Sequence, residues 1–115
     1  MEQVKLTNEA DYLLCSLYNG FLEKRKAGVF REKAVIFGNA ENIQENFAQS
    51  WPVNDIEDAI RELSRADMVE CFWADNTFMT CKLTADGIIY MEARFGQKME
   101  TVLSRLASLK ALLPF

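Results

Sequence analysis

Residues 55–91 read DIEDAIRELSRADMVECFWADNTFMTCKLTADGIIYM, and the change of period inside this stretch decides the fold. Ile56, Ala59, Ile60 and Leu63 recur at helical spacing, which predicts a helix over residues 54–66 with one buried face. Asp67 stands where glycine or asparagine often ends a helix. The period then drops to two. Val69, Cys71 and Trp73 alternate with Met68, Glu70 and Phe72, and after a turn cluster Met79, Cys81 and Leu83 alternate with Phe78, Thr80 and Lys82. This predicts a β-hairpin whose loop is Asp75, Asn76 and Thr77. Cys71 then lies opposite Cys81, and Val69, Cys71, Trp73, Met79, Cys81 and Leu83 share the buried face. A disulfide is conceivable there, although two packed thiols suit a reducing compartment better. Thr84 caps the next helix, with Asp86 in its first turn.

Upstream, Thr7 or Asn8 caps a first helix with Ala10, Leu13, Leu14, Leu17, Tyr18, Phe21 and Leu22 as its apolar stripe. It ends near Lys24, Arg25 and Lys26, cations suited to a helix C-terminus, with Gly28 as the stop. Residues 34–37, Ala-Val-Ile-Phe, form a β-prone run able to pair with the hairpin. Residues 39–51 read as a second helix, closed by Pro52.

Downstream, the last helix carries Ile88, Ile89, Met91 and Phe95, with Gly96 as a weak point inside it. Phe95, Met99, Val102, Leu106, Leu109 and Leu113 then follow a heptad spacing. Such a seam either folds back on the first helix or pairs with a second copy. We expect the pairing, because six large apolar side chains at about 1.5–3 kcal/mol each cannot stay wet.

Composition removes whole classes of function. The chain of 115 residues has no histidine and three cysteines without CxxC spacing. Ser-His-Asp and Cys-His catalysis, HExxH zinc sites and Cys2His2 fingers are therefore excluded. No metal, cofactor or catalytic set is expected, and the carboxylates at helical spacing read as a solvated face. No apolar stretch approaches the ~20 residues a spanning helix needs. The first residues, Met1 to Lys5, lack the form of a signal peptide, so a cytoplasmic location is expected. The net charge of −4 argues against tight nonspecific nucleic-acid binding.

Residues 58–70, DAIRELSRADMVE, and 82–92, KLTADGIIYME, resemble the winged helix-turn-helix superfamily of bacterial regulators. The second half of the chain, with its closing Leu-Lys-Ala-Leu-Leu-Pro-Phe, is also similar to small YjcQ-type winged-helix proteins of bacteria. The resemblance implies an α+β winged helix-turn-helix: a three-helix core, a two- or three-stranded wing and a long C-terminal helix. Residues 1–95 would be the winged-helix domain and 96–115 a dimerisation extension. It implies a dimeric, DNA-binding transcriptional regulator in which residues 54–66 are the recognition helix.

On that helix only Asn54, Arg61 and Arg65 suit DNA. Five acids (Asp55, Glu57, Asp58, Glu62 and Asp67) face two arginines, leaving −3. The hairpin tip carries Asp75 and no cation. Lys24, Arg25, Lys26, Arg31 and Lys33 form a basic cluster elsewhere, either a solvated helix end or a surface for phosphate or an acidic partner. The alternative to a regulator is a winged-helix protein-interaction module, supported if Phe72, Phe78 and Trp51 face solvent. The expected partners are DNA, though disfavoured by charge, a second copy of the chain, or another protein.

Overall fold

A computed structural model describes residues 4–115. Residues 1–3, part of the stretch read as lacking signal-peptide form, lie outside the described residues. The described residues form six helices and one two-stranded antiparallel sheet: α1 (Asn8–Lys26), α2 (Arg31–Ala34), α3 (Ala40–Phe47), α4 (Val53–Arg65), β1 (Val69–Ala74), β2 (Thr77–Leu83), α5 (Ala85–Phe95) and α6 (Met99–Lys110). The Cα radius of gyration of 13.1 Å is that of one compact unit of this length. No described helix is long and apolar enough to cross a membrane.

Local signals set most boundaries. Thr7 Oγ1 accepts from the Ala10 N–H and caps α1. Gly28 leaves that helix at φ +86°. Asp67 takes φ 62°, and the Met68 N–H reaches back to the Leu63 carbonyl at 2.9 Å, the glycine-like helix stop the sequence suggests. Thr84 joins this stop to the next helix. Its Oγ1 accepts from the Gly87 N–H at 2.9 Å and its own N–H donates to Met68 O at 3.1 Å. A Cβ on Gly87 would stand 2.3 Å from Met68 O, so only glycine lets α5 start this close to the end of α4.

Three expectations are corrected. The helix expected over residues 39–51 stops at Phe47, where Ala48 leaves helical geometry at φ −151°. Trp51 then folds into the turn, its carbonyl taken by Gln44 Nε2 and its ring stacked near Tyr12 and Phe115.

The hairpin loop has two residues, Asp75 and Asn76, both at positive φ. That is the primed turn that suits strand twist. A bulge at Met79 restores the register, so Cys71 still lies opposite Cys81 while Trp73 pairs with Phe78. The bulge reverses the faces of β2 near the tip. Phe78 is fully buried, whereas Met79 is 58% and Trp73 36% exposed. At the hairpin base, Phe37 N–H donates to Cys81 O and Leu83 N–H to Val35 O. The run at residues 34–37 thus pairs with β2, through a single bridge at Ile36 and Lys82.

The third correction concerns the C-terminal helix, which is two helices. Gly96, at φ 64° and ψ −146°, adopts a conformation open only to glycine, and the chain turns back so that α6 packs on α1. Val102 and Leu109 are fully buried, and Phe95, Met99, Leu106 and Leu113 pack against the same core. The seam expected to pair two chains packs here on the core of its own chain, with Val102 and Leu109 fully buried and the other four partly so.

The reversal is fixed by polar contacts far apart in sequence. Tyr18 Oη donates to Gly96 O at 2.6 Å. Burial first, and then the Glu92 charge, pushes this phenol up to about 12, so it stays a donor. Asp11, only 6% exposed, accepts two bonds from Arg94 of α5 (2.5 and 2.8 Å) and one from Arg105 of α6 (3.2 Å). Burial alone would raise this carboxyl; the hydrogen bonds and charges of Arg94 and then Arg105 outweigh it and hold Asp11 below its ordinary value. Cys15 donates to the same carboxylate, and burial, with the Asp11 charge second, pushes the thiol up to about 12.

A carboxyl depressed in the folded state contributes all of its stabilisation above its unfolded value and loses it as pH falls through the folded one. Asp11→Asn should therefore flatten the acid limb of the stability profile below the ordinary value of 3.8. At neutral pH it should cost about 2–3 kcal/mol. Urea denaturation at several pH values reads both. An unchanged acid limb would show that Asp11 is not held this way.

Candidate functional site

The outward side of α4 combines Asn54, Asp55, Glu57, Asp58, Arg61, Glu62 and Arg65, beside the hairpin that follows it. Two of these side chains already have partners. Glu62 accepts from the Thr7 N–H and from Thr7 Oγ1, both at 2.8 Å, and ties α4 to the start of α1. Arg61 Nη2 donates to the Asn76 carbonyl at 2.7 Å, and its guanidinium lies 5.1 Å from the centre of the Trp73 ring. Arg61 therefore clamps the hairpin tip to α4. Asn54 and Arg65 are exposed, and neither has a side-chain partner among the described residues.

The basic cluster is separate from this face. The 19 residues of α1 rise about 28 Å. One end of α1 meets Glu62 and the other carries Lys24, Arg25 and Lys26. Lys24 Nζ donates to Ile36 O at 2.8 Å and lies 4.3 Å from the centre of the Phe37 ring, and burial lowers its pKa. It packs at the hairpin base, whereas Arg61 works at the tip. Arg25 Nη1 donates to the Val29 carbonyl at 3.2 Å. Lys26, Arg31 and Lys33 are exposed. The residues proposed for DNA thus fall into two groups, one on α4 and one on the end of α1 and α2, and Lys24, Arg25 and Arg61 are engaged in the fold.

The three aromatics expected to mark a protein-binding surface also separate. Trp51 is 3% and Phe78 0% exposed, while Phe72 is 65% exposed. The bulge adds Met79 to the surface near the tip, where Trp73 is also 36% exposed. Trp73 is held edge-on against Phe78, with ring centres 5.4 Å apart and planes at 80°. The pairing of Arg61 with Trp73 joins a helix to a strand across the fold, which no spacing rule reveals.

Cys71 and Cys81 lie opposite one another as free thiols. Pairing with the Cys71 side chain, and burial second, push the Cys81 thiol well above its ordinary range. Cys81 thus remains a protonated core residue. Among the described residues no three of His, Cys, Asp and Glu converge on a metal-sized site.

Compared with known proteins, the chain matches no family model, no curated protein and no solved structure.

Arg61→Ala should release the hairpin tip at a cost of about 1–2 kcal/mol. Trp73 emission should shift to the red and the tip amides of Asp75 and Asn76 should exchange faster. Arg61→Lys should recover only part of this, because an ammonium lacks the planar stacking face. Unchanged emission and exchange in Arg61→Ala would remove the clamp.

Proposed function

We propose that this chain is a winged-helix domain that acts as a protein-interaction module, docking a basic, apolar-anchored segment of another protein on α4 and the hairpin. In this reading α3, the Trp51 turn and α4 are the helix-turn-helix, β1 and β2 are the wing, and the Ile36 bridge is its third strand. The element order supports the assignment.

One observation carries the functional part: Arg61 is bound to Asn76 O and stacked on Trp73. That leaves Arg65 as the cation of an otherwise acidic face. Asp55, Glu57 and Asp58 lie within two turns of Arg61, and Asp75 sits at the hairpin tip. Phosphates brought to this face would meet carboxylates. A lysine- or arginine-rich segment would meet complementary charge, and its apolar side chains would cover Phe72 and Met79.

A DNA-binding regulator is the second reading, favoured by exposed Asn54 and Arg65 where a recognition helix would present them. It requires Lys26, Arg31 and Lys33 to reach phosphate from a different side of the molecule. Two-fold pairing on a palindromic site would have to use apolar residues other than the covered seam, such as Leu103 and Leu112, which are 50% and 64% exposed.

Two labelled probes separate the readings by fluorescence anisotropy: a short amphipathic lysine–leucine peptide and a mixed-sequence DNA duplex at low salt. The peptide should bind, its glutamate–leucine counterpart should not, and Phe72→Ser with Met79→Ser should weaken binding about tenfold or more. Duplex binding that falls steeply with salt and disappears in Asn54→Ala with Arg65→Ala would replace this reading with the regulator. Peptide binding indifferent to the hairpin substitutions would reject the docking face.

A further inference from the structure

Behind the end of α1 lies a cleft of about 690 Å³, bounded by the loop into α2, by α5 and by the turn into α6. Its floor is apolar: Phe21 and Leu22 from α1, Val29 from the loop, Ile88 and Ile89 from α5, and Met99. Ile89 is 62% exposed although it stands over this floor. One wall is cationic, with Arg25, Lys26 and Arg31 all lining the space. The facing carboxylate is Glu92, which accepts weakly from Gln97 Nε2 at 3.5 Å. Three cations against one carboxylate leave +2 on the lining in a chain whose net charge is −4.

A solvated helix end accounts for Arg25 and Lys26, because cations suit the negative end of the α1 dipole. It does not account for Arg31, which arrives from a different helix and lines the same wall, nor for exposed Ile89 beside it. Gly28 sits between the two groups of cations at φ +86°, with open space on its Cβ side. Because the loop turns there, Arg31 comes back to the cleft instead of continuing away from it. The Arg25 guanidinium is held at the rim by the Val29 carbonyl. The volume falls in the range of small-molecule sites, about 300–1,000 Å³, which combine an apolar body with a few placed polar groups.

We propose that this cleft binds an anionic amphiphile of the fatty-carboxylate class. The carboxylate faces Arg25, Lys26 and Arg31, and the aliphatic chain covers Ile88, Ile89 and the α1 floor. The site goes beyond the docking face proposed above. It lies at the other end of α1 from Glu62, so either assignment can fail and leave the other standing.

The test is an NMR titration of the ¹⁵N-labelled full chain with decanoate below its micelle concentration, with decanol as the neutral control. Decanoate should give saturable shifts centred on the amides of Gly28, Ile89 and Gln97, and decanol should bind about tenfold more weakly. Lys26→Glu with Arg31→Glu reverses two exposed charges and should weaken decanoate about tenfold while leaving the remaining spectrum in place. Ile89→Ser should weaken both probes. Equal binding of decanol and decanoate, unsaturable shifts, shifts centred elsewhere, or indifference to the charge reversal would each overturn the proposal.

Discussion

The Asp11 carboxylate is buried near the start of α1 and held by Arg94 and Arg105, which come from the two helices that close the chain. A carboxylate removed from water without partners is costly, and breaking a buried pair typically costs about 3–5 kcal/mol. Arg94 reaches Asp11 from α5 itself, and Arg105 joins it only because the chain reverses after α5. Gly96 permits that reversal, and the Tyr18 hydroxyl holds its carbonyl. The placement of α6 on α1 follows from these contacts as much as from the apolar side chains of Val102 and Leu109.

This closure decides which surfaces are left for function. Of the heptad residues, Val102 and Leu109 are fully buried and the other four pack partly buried against the same core, so this apolar pattern serves the chain's own interior. Arg61 and Lys24, which look like surface cations in sequence, each hold a backbone carbonyl and lie over an aromatic ring. The hairpin is thereby tied at its tip to α4 and at its base to α1. The remaining exposed features are an acidic α4 face, the hairpin residues Phe72 and Met79, and a basic cleft with apolar lining at the far end of α1. Their opposite charges call for partners of opposite chemistry.

Features governed by neighbours along the chain are legible in the amino-acid sequence alone. Thr7, Gly28, Asp67 and Thr84 mark helix ends through hydrogen bonds or φ values that depend on adjacent residues. The alternation around Cys71 and Cys81 sets their pairing because strand period is rigid. The bulge at Met79 escapes, because a two-residue turn plus one extra residue gives the same pairing at Cys71 and Cys81 as a three-residue loop. The two arrangements differ only from Trp73 to Met79, and there Phe78 and Met79 exchange faces. The Asp11 contacts span 83 and 94 positions, beyond any local pattern, so in sequence Asp11 reads as an ordinary first-turn acid. Heptad spacing records that one side of α6 is buried without recording against what. For the candidate sites, the charges and their signs are plain from residue types. That Arg61 bonds Asn76, or that Arg31 joins Arg25 in lining one cleft, depends on tertiary packing that no spacing encodes.

Native-state hydrogen exchange of the α6 amides, followed as the protein is diluted, tests most directly whether this helix belongs to its own chain. Held by α1, Asp11 and Gly96, the amides of Val102, Leu106 and Leu109 should be strongly protected, with the same protection at every protein concentration. Protection that falls on dilution, while α1 and α4 keep theirs, would mean that a second copy holds α6 and would contradict the account.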